Sequence, residues 1–210
     1  MEINPGDIPH QSVYKILTGS VLPRPIGWIS SIDMTGHPNL APFSFFNVVC
    51  SNPPTLIFCP LIRSTDRKTK DTLNNVRATG EFVVNIVTEE LLGAMNLSSI
   101  EASPEFNEFD YAGLTLAPSI MVRPPRVAES PIHFECKVKQ IIDINDQPGG
   151  GSIVIGNIVH IHADDGVMLG GDKINLTALK PIGRLAGSAY VRVTDVVERE
   201  RPKNIFGEKK

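Results

Sequence analysis

The chain has 210 residues, 41% of them hydrophobic and 20% charged, and carries a formal net charge of -3. This is the composition of a globular protein long enough to bury a real core, not of a disordered or fibrous chain. The slight acidity supplies no footprint for non-specific nucleic-acid binding, and no apolar run approaches a membrane span.

The first ten residues, MEINPGDIPH, lack the basic start and apolar stretch of a signal peptide, so a cytoplasmic location is expected. SVYKIL reads as a short lead-in helix or turn. RPIGWISSID reads as a strand, with Ile26, Trp28 and Ser30 on one face and Gly27, Ile29 and Ser31 on the other. After the turn MTGHPN, LAPFSFFNVV starts extended. Pro42 removes a ladder donor there, which suits an edge or a bulge. TLIFCPLI is an apolar strand broken by Pro60, and RSTDRKTK is a polar loop.

DTLNNVRATGEF predicts a helix, with Thr69 or Asp71 as its N-cap and Gly80 just past its end. EFVVNIVT is a strand, and Thr88 is placed to cap a second helix, EELLGAMNLSS. The stretch over 102–119 reads as irregular, with a turn at Gly113. A strand runs from Ile132 to Ile144, NDQPGGGS turns, IVIGNIVHIHA is another strand, and KPIGRLAGSAYVRV ends the core. The charged tail ERERPKNIFGEKK is expected to be loosely held. Six to eight strands in hairpin-like succession, with two or three inserted helices, predict a mainly β domain. It should be an antiparallel barrel, closed or nearly closed, in a single domain over 1–210 with its ordered core over 12–198. Cys50, Cys59 and Cys136 form no C-x-x-C pair and read as reduced, buried thiols.

Four stretches carry chemistry. In RSTDRKTKDTLNN, Arg63, Arg67, Lys68 and Lys70 cluster with hydroxyls just before a helix N-terminus, where free N–H groups and the helix dipole favour an anion. The plainer reading is a solvated basic loop, and no Walker-type loop is present. If GWISSID and NLAPFSFFNVV are adjacent strands, Ser30 and Ser44 approach each other among Trp28, Phe43 and Phe45. Such surroundings suit a flat heteroaromatic ligand, and the competing reading is an edge strand facing water. In VHIHAD, His160, His162 and Asp164 share a strand face, but nothing supports them as metal ligands, so a solvated face is preferred and no metal is expected. In GRLAGSAY, Arg184 is available to an anion or a subunit partner. No nucleophile elbow or paired carboxylates point to hydrolysis, so a bound cofactor would carry any chemistry.

The segments RPIGWISS, NLAPFSFFNVVCSNPP, RKTKDTLNNVRATGEFVVNIV, SPEFNEFDYAGLTLAPS, SPIHFECKV and PIGRLAGSAYVRV, in that order, resemble the flavin reductase-like family, and within it the flavoredoxin-type branch. The resemblance implies an FMN-binding split barrel. By it, the segment Ala41 to Asn47 lines the isoalloxazine ring, naming Ala41, Pro42, Phe43, Ser44 and Asn47, with Ser30 approaching from the next strand. Lys70, Asp71 and Thr72 receive the FMN phosphate, Arg67 adds charge, and Arg24 lies near the cofactor; Arg184, from its own reading above, is counted with these cofactor-binding candidates. It further implies an oxidoreductase passing electrons through FMN from NAD(P)H or a redox-partner protein, and a homodimer. The alternative is a non-catalytic FMN-binding or storage module. One departure stands out: where many family members carry a G-D-H segment, whose histidine is associated with the nicotinamide, this chain has Gly149, Gly150, Gly151 and Ser152.

Overall fold

The computed structural model describes residues 1–63 and 65–202. The chain opens with helix α1 (His10–Ser20) and strands β1 (Gly27–Ile32), β2 (Pro38–Phe43), β3 (Phe46–Ser51) and β4 (Pro54–Phe58). Helix α2 (Asp71–Thr79) and strand β5 (Glu81–Ile86) follow. Next come short helices α3 (Leu92–Leu97) and α4 (Glu108–Ala112) and two-residue strands β6 (Leu116–Ala117) and β7 (Arg126–Val127). The long pair β8 (Ile132–Asn145) and β9 (Gly151–Ala163), helix α5 (Leu176–Leu179) and the hairpin β10 (Ile182–Arg184) and β11 (Tyr190–Arg192) complete it.

Seven strands form one antiparallel sheet in the order β2-β1-β5-β8-β9-β4-β3. Strands β2 and β3 are joined by only Ser44 and Phe45, yet they are the two edges and do not pair. The barrel is therefore split, not closed. Pro42 contributes no N–H at the β2 edge, as expected of an edge position. Side chains bridge the gap: the Phe46 ring lies over Gly27, where an added Cβ would stand 2.6 Å from it. Inside the curve, Ile29, Phe43, Phe46, Leu56, Phe58, Phe82 and Val154 pack with Leu73 and Val76 of α2. Phe43 packs tilted on Phe58, and Phe58 packs edge-to-face on Phe82, each pair with centroids 5.1 Å apart. The other face of β1 and β2 places Ile26, Trp28 and Leu40 against Leu91, Met95 and Phe109 beneath α3 and α4. The alternation read in β1 is thus the alternation of two cores.

Several local expectations are corrected. Lys70, not Thr69 or Asp71, is the N-cap of α2, because the Thr69 hydroxyl donates to Asn74 Oδ1 at 2.7 Å instead; Gly80 closes the helix at φ 71°. Thr88 does not cap α3: it bridges Pro181, and the helix begins at Leu92. The stretch read as irregular holds α4, capped by the Asn107 side chain on Phe109 N–H. Cys50 is exposed on edge strand β3, while Cys59 is half-buried and Cys136 buried. Residues 198–202 are exposed and without regular structure; the rest of the tail and Ser64 lie outside the described residues. Among the described residues no helix is long and apolar enough to cross a membrane.

Candidate functional site

Strand β2 and the start of α2 meet on the concave side of the sheet. Asn39 and Ala41 project to that side by the same two-residue alternation that sends Leu40 to the opposite core. With Arg63, Lys70, Asp71, Thr72, Glu101 and Glu108 they line a small cavity of about 30 Å³. A neighbouring cleft of about 570 Å³ shares Arg63, Asp71 and Ala102 with it.

The polar groups around the cavity are ordered by one buried carboxylate. Both Glu108 oxygens accept from Asn39 Nδ2 at 3.2 Å, and Oε2 also accepts from Leu40 N–H at 3.1 Å. That orients the Asn39 carbonyl toward Thr72, whose hydroxyl donates to it at 2.8 Å, and toward Ser31 at 3.4 Å. Burial pushes the Glu108 carboxyl above its usual range, against the hydrogen bonds from Leu40 and Asn39. Since the Thr72 hydroxyl proton is committed to Asn39, an anion at this end would meet backbone N–H groups. Those of Asp71 and Thr72, in the first turn of α2, have no partner among the described residues.

Arg63 stands at the junction of cavity and cleft. Its side chain is 11% exposed, and its Nε is buried with no hydrogen-bond partner among the described residues. The remaining contacts are long: Nη1 lies 3.4 Å from Asp71 Oδ2 and from the Ala102 carbonyl, and Nη2 lies 3.2 Å from Asp66. Lys70 Nζ lies 3.9 Å from Glu101. A buried donor left unmade is costly, and an orphaned guanidinium N–H beside a free helix N-terminus suits a phosphate.

Three residues beyond Ala41, at about 3.3 Å per residue, Ser44 marks the other end. Its Oγ accepts from Arg24 Nε at 3.3 Å, which leaves its O–H free to donate. Arg24 is buried and its other nitrogens donate to the carbonyls of Thr18, Val21 and Leu185, at 2.6, 3.4 and 3.0 Å. Burial, aided by the nearby Arg184, lowers its pKa. Arg24 therefore holds Ser44 in place with four of its five N–H groups engaged. Arg184 pairs with Arg24 through the backbone and lays its guanidinium over the Tyr190 ring, 4.4 Å from the centroid. It lines neither cavity.

The structure thus gathers Ala41, Lys70, Asp71 and Thr72 at one end, and Ser44 with Arg24 and Arg184 at the other. It does not bring in the rest. Ser30 is fully buried on the opposite face, donating to the Pro125 carbonyl at 2.5 Å and accepting from Asn85 Nδ2 at 3.2 Å. It pairs with Leu40, not with the segment around Ser44, so the expected approach of the two serines does not occur. Its neighbour Ser31 is the serine on the α2 side, held by Asn75. Trp28 likewise faces away, donating its Nε1–H to Ser98. Phe43 is a core side chain and only its backbone is on the edge; Pro42 stands opposite Trp28. Asn47 is exposed on β3, its amide oxygen accepting from Val48 N–H. Arg67 is exposed in a left-handed turn, φ 61°, and lines neither cavity. Asn39, Arg63 and Glu108 are the additions. Arg63 was legible as one of a basic cluster, whereas Glu108 carries no local signal.

Two further features complete the surroundings. The Gly149 turn is not without a histidine: the His10 ring of α1 packs on it so closely that a Gly149 Cβ would stand 2.7 Å from His10 Cδ2. The imidazole arrives from another element. The histidines of β9 are not a plain solvated face either. His162 Nε2 bonds Glu135 at 2.6 Å, and the fully buried Glu135 also accepts from the N–H groups of Ile120, Met121 and Val122. Among the described residues no three His, Cys, Asp or Glu side chains converge as a metal site.

The family described as "Flavin reductase like domain" matches residues 18–172. The chain is similar to nitrilotriacetate monooxygenase component B from Bacillus cereus, with 34% identity over 95% of this chain and 98% of that one, TM-score 0.89. It is similar to the 2-nitrobenzoate 2-nitroreductase NbaA of Pseudomonas fluorescens, with 32% identity, 96% of both chains and TM-score 0.85. Flavoredoxin of Desulfovibrio vulgaris (Miyazaki F) shares the fold, at 20% identity, 85% and 91% of the two chains and TM-score 0.73.

Proposed function

We propose a function from a fixed premise: the chain belongs to the flavin reductase-like family. It is an FMN-dependent oxidoreductase that takes electrons from NAD(P)H or a protein donor and passes them on. The observation that carries this reading is the orphaned Arg63 Nε beside the unspent N–H groups of Asp71 and Thr72. The FMN phosphate would be held there, with Lys70 adding charge, and the ring would lie along the β2 edge toward Ser44. The Ser44 hydroxyl would donate to the polar rim of the ring, and the backbone from Ala41 to Ser44 would line it. When bound, the flavin supplies the capacity to accept a hydride equivalent and release electrons onward. The protein's own share would be to fix the phosphate and to hold Ser44 through Arg24.

The relatives support a redox role: one is a monooxygenase component and another a nitroreductase. The reading includes a homodimer. Helix α1 leaves Ile16 and Leu17 exposed and edge strand β3 leaves Val48 and Val49 exposed, and a second copy would cover such an unpaired edge. The test is an absorbance spectrum of the purified protein, repeated after anaerobic NADH and then NADPH. Flavin bands that bleach with either nucleotide support a reductase. Flavin bands that neither nucleotide nor any reduced carrier protein bleaches would leave only the storage module. A protein that takes up no FMN ends the proposal.

A further inference from the structure

The space at the phosphate position is small, and its walls are not equal. A cavity of about 30 Å³ holds about two water molecules, fewer heavy atoms than a phosphate group has, so one wall must give way when the phosphate enters. Asn39 and Ala41 stand on β2, and Asp71 and Thr72 on α2. A further wall, residues 100–102, lies in the connection between α3 and α4 and belongs to no helix or strand. That wall is the one free to shift without breaking a regular element.

The charges around the cavity do not favour an anion as they stand. Arg63 and Lys70 face the carboxyl groups of Asp71, Glu101 and Glu108. Glu108 is engaged by Asn39 and Leu40, and Asp71 reaches Arg63. Glu101 takes the cation that the phosphate would use. Its Oε1 lies 3.9 Å from Lys70 Nζ, and its Oε2 accepts from the Thr65 hydroxyl at 2.5 Å. Both side chains of the ion pair are 30% exposed, and a long pair in contact with water is weak enough to be exchanged.

Resting on the flavin reading above, we infer that Glu101 is a specificity-determining residue: its carboxylate stands in for the phosphate on Lys70 and must be displaced, together with the wall at residues 100–102, before the phosphate is bound. Displacement hands Lys70 to the phosphate. A flavin without a phosphate meets no such competition. Glu101 therefore reduces the advantage of FMN over riboflavin and speeds the release of FMN.

Glu101→Gln removes the charge and keeps an oxygen for the Thr65 hydroxyl, whereas Glu101→Ala removes both. The experiment is a calorimetric titration of the flavin-free protein with FMN and with riboflavin, together with stopped-flow release of FMN, for the wild type and both variants. Both variants should bind FMN about three- to fivefold more tightly and riboflavin within about twofold of the wild type, with the gain appearing as slower FMN release. A purely structural tie predicts the reverse for Glu101→Ala. FMN affinity unchanged or weakened in either variant, or an equal gain for riboflavin, overturns the inference and leaves the flavin reading standing. Failure of the wild type to bind either flavin overturns both.

Discussion

Replacing Arg63 by Met keeps the apolar stem and removes the guanidinium. In the protein as it stands, this deletes a buried Nε without a partner and three contacts of 3.2 to 3.4 Å, two with carboxylates and one with the Ala102 carbonyl. Losing the orphaned donor is favourable and losing the long ion pairs is mildly unfavourable, so folding stability should change by less than about 1 kcal/mol. FMN binding should respond otherwise. One charge-assisted hydrogen bond is worth about 1.5–3 kcal/mol, which corresponds to about a ten- to hundredfold rise in Kd. Asp71, freed of its cation, would then repel the phosphate and push toward the upper end. Calorimetric titration with FMN and with riboflavin, which has no phosphate, separates the cases. The account requires a loss for FMN and little change for riboflavin. Equal weakening of both, or an unchanged FMN affinity, would refute the placement of the phosphate at Arg63.

Ser44→Ala should weaken riboflavin and FMN alike, or shift the flavin potential, with little loss of melting temperature, since Ser44 is half-buried and Arg24 keeps three carbonyl partners; a melting-point drop without a flavin effect would contradict it. Glu108→Gln puts an amide NH2 against the Asn39 NH2 and strands a buried donor, so chemical denaturation should show a loss of about 1–3 kcal/mol together with weaker FMN binding. Burial holds the His133 imidazole at a pKa of about 4, below the usual 6.5, with Nε2–H on the Val127 carbonyl. Between those two values the unfolded chain binds the extra proton, so stability is fully present above pH 6.5 and falls as pH drops toward 4, by about 3 kcal/mol in all. Urea titrations at a series of pH values should show this fall, and His133→Gln should flatten it.

The fold was legible because its signals are local. Alternation in GWISSID, the glycine after RAT and the proline in LAPF are each read from a few residues, and the structure turns them into two-sided strand β1, the end of α2 and the β2 edge. Barrel closure was not legible, because it depends on whether edges far apart in sheet order meet, and here β2 and β3 do not pair. The site divides in the same way. The α2 start was visible as basic residues and hydroxyls before a helix. Ser30 was misassigned by one residue of strand parity: the α2 side belongs to Ser31, and one step reverses the face. Glu108 and His10 reach their partners across 69 and 139 positions of chain respectively (108 − 39 and 149 − 10), so only packing reveals them.

The central claim is that a flavin lies along the β2 edge with its phosphate on the start of α2. A crystal structure of the protein grown with FMN tests it most directly. The account predicts the phosphate within hydrogen-bonding distance of Arg63 Nε and the Asp71 and Thr72 N–H groups, and the ring beside Ala41 to Ser44. A flavin bound elsewhere, or one whose phosphate leaves Arg63 Nε without a partner, would contradict it.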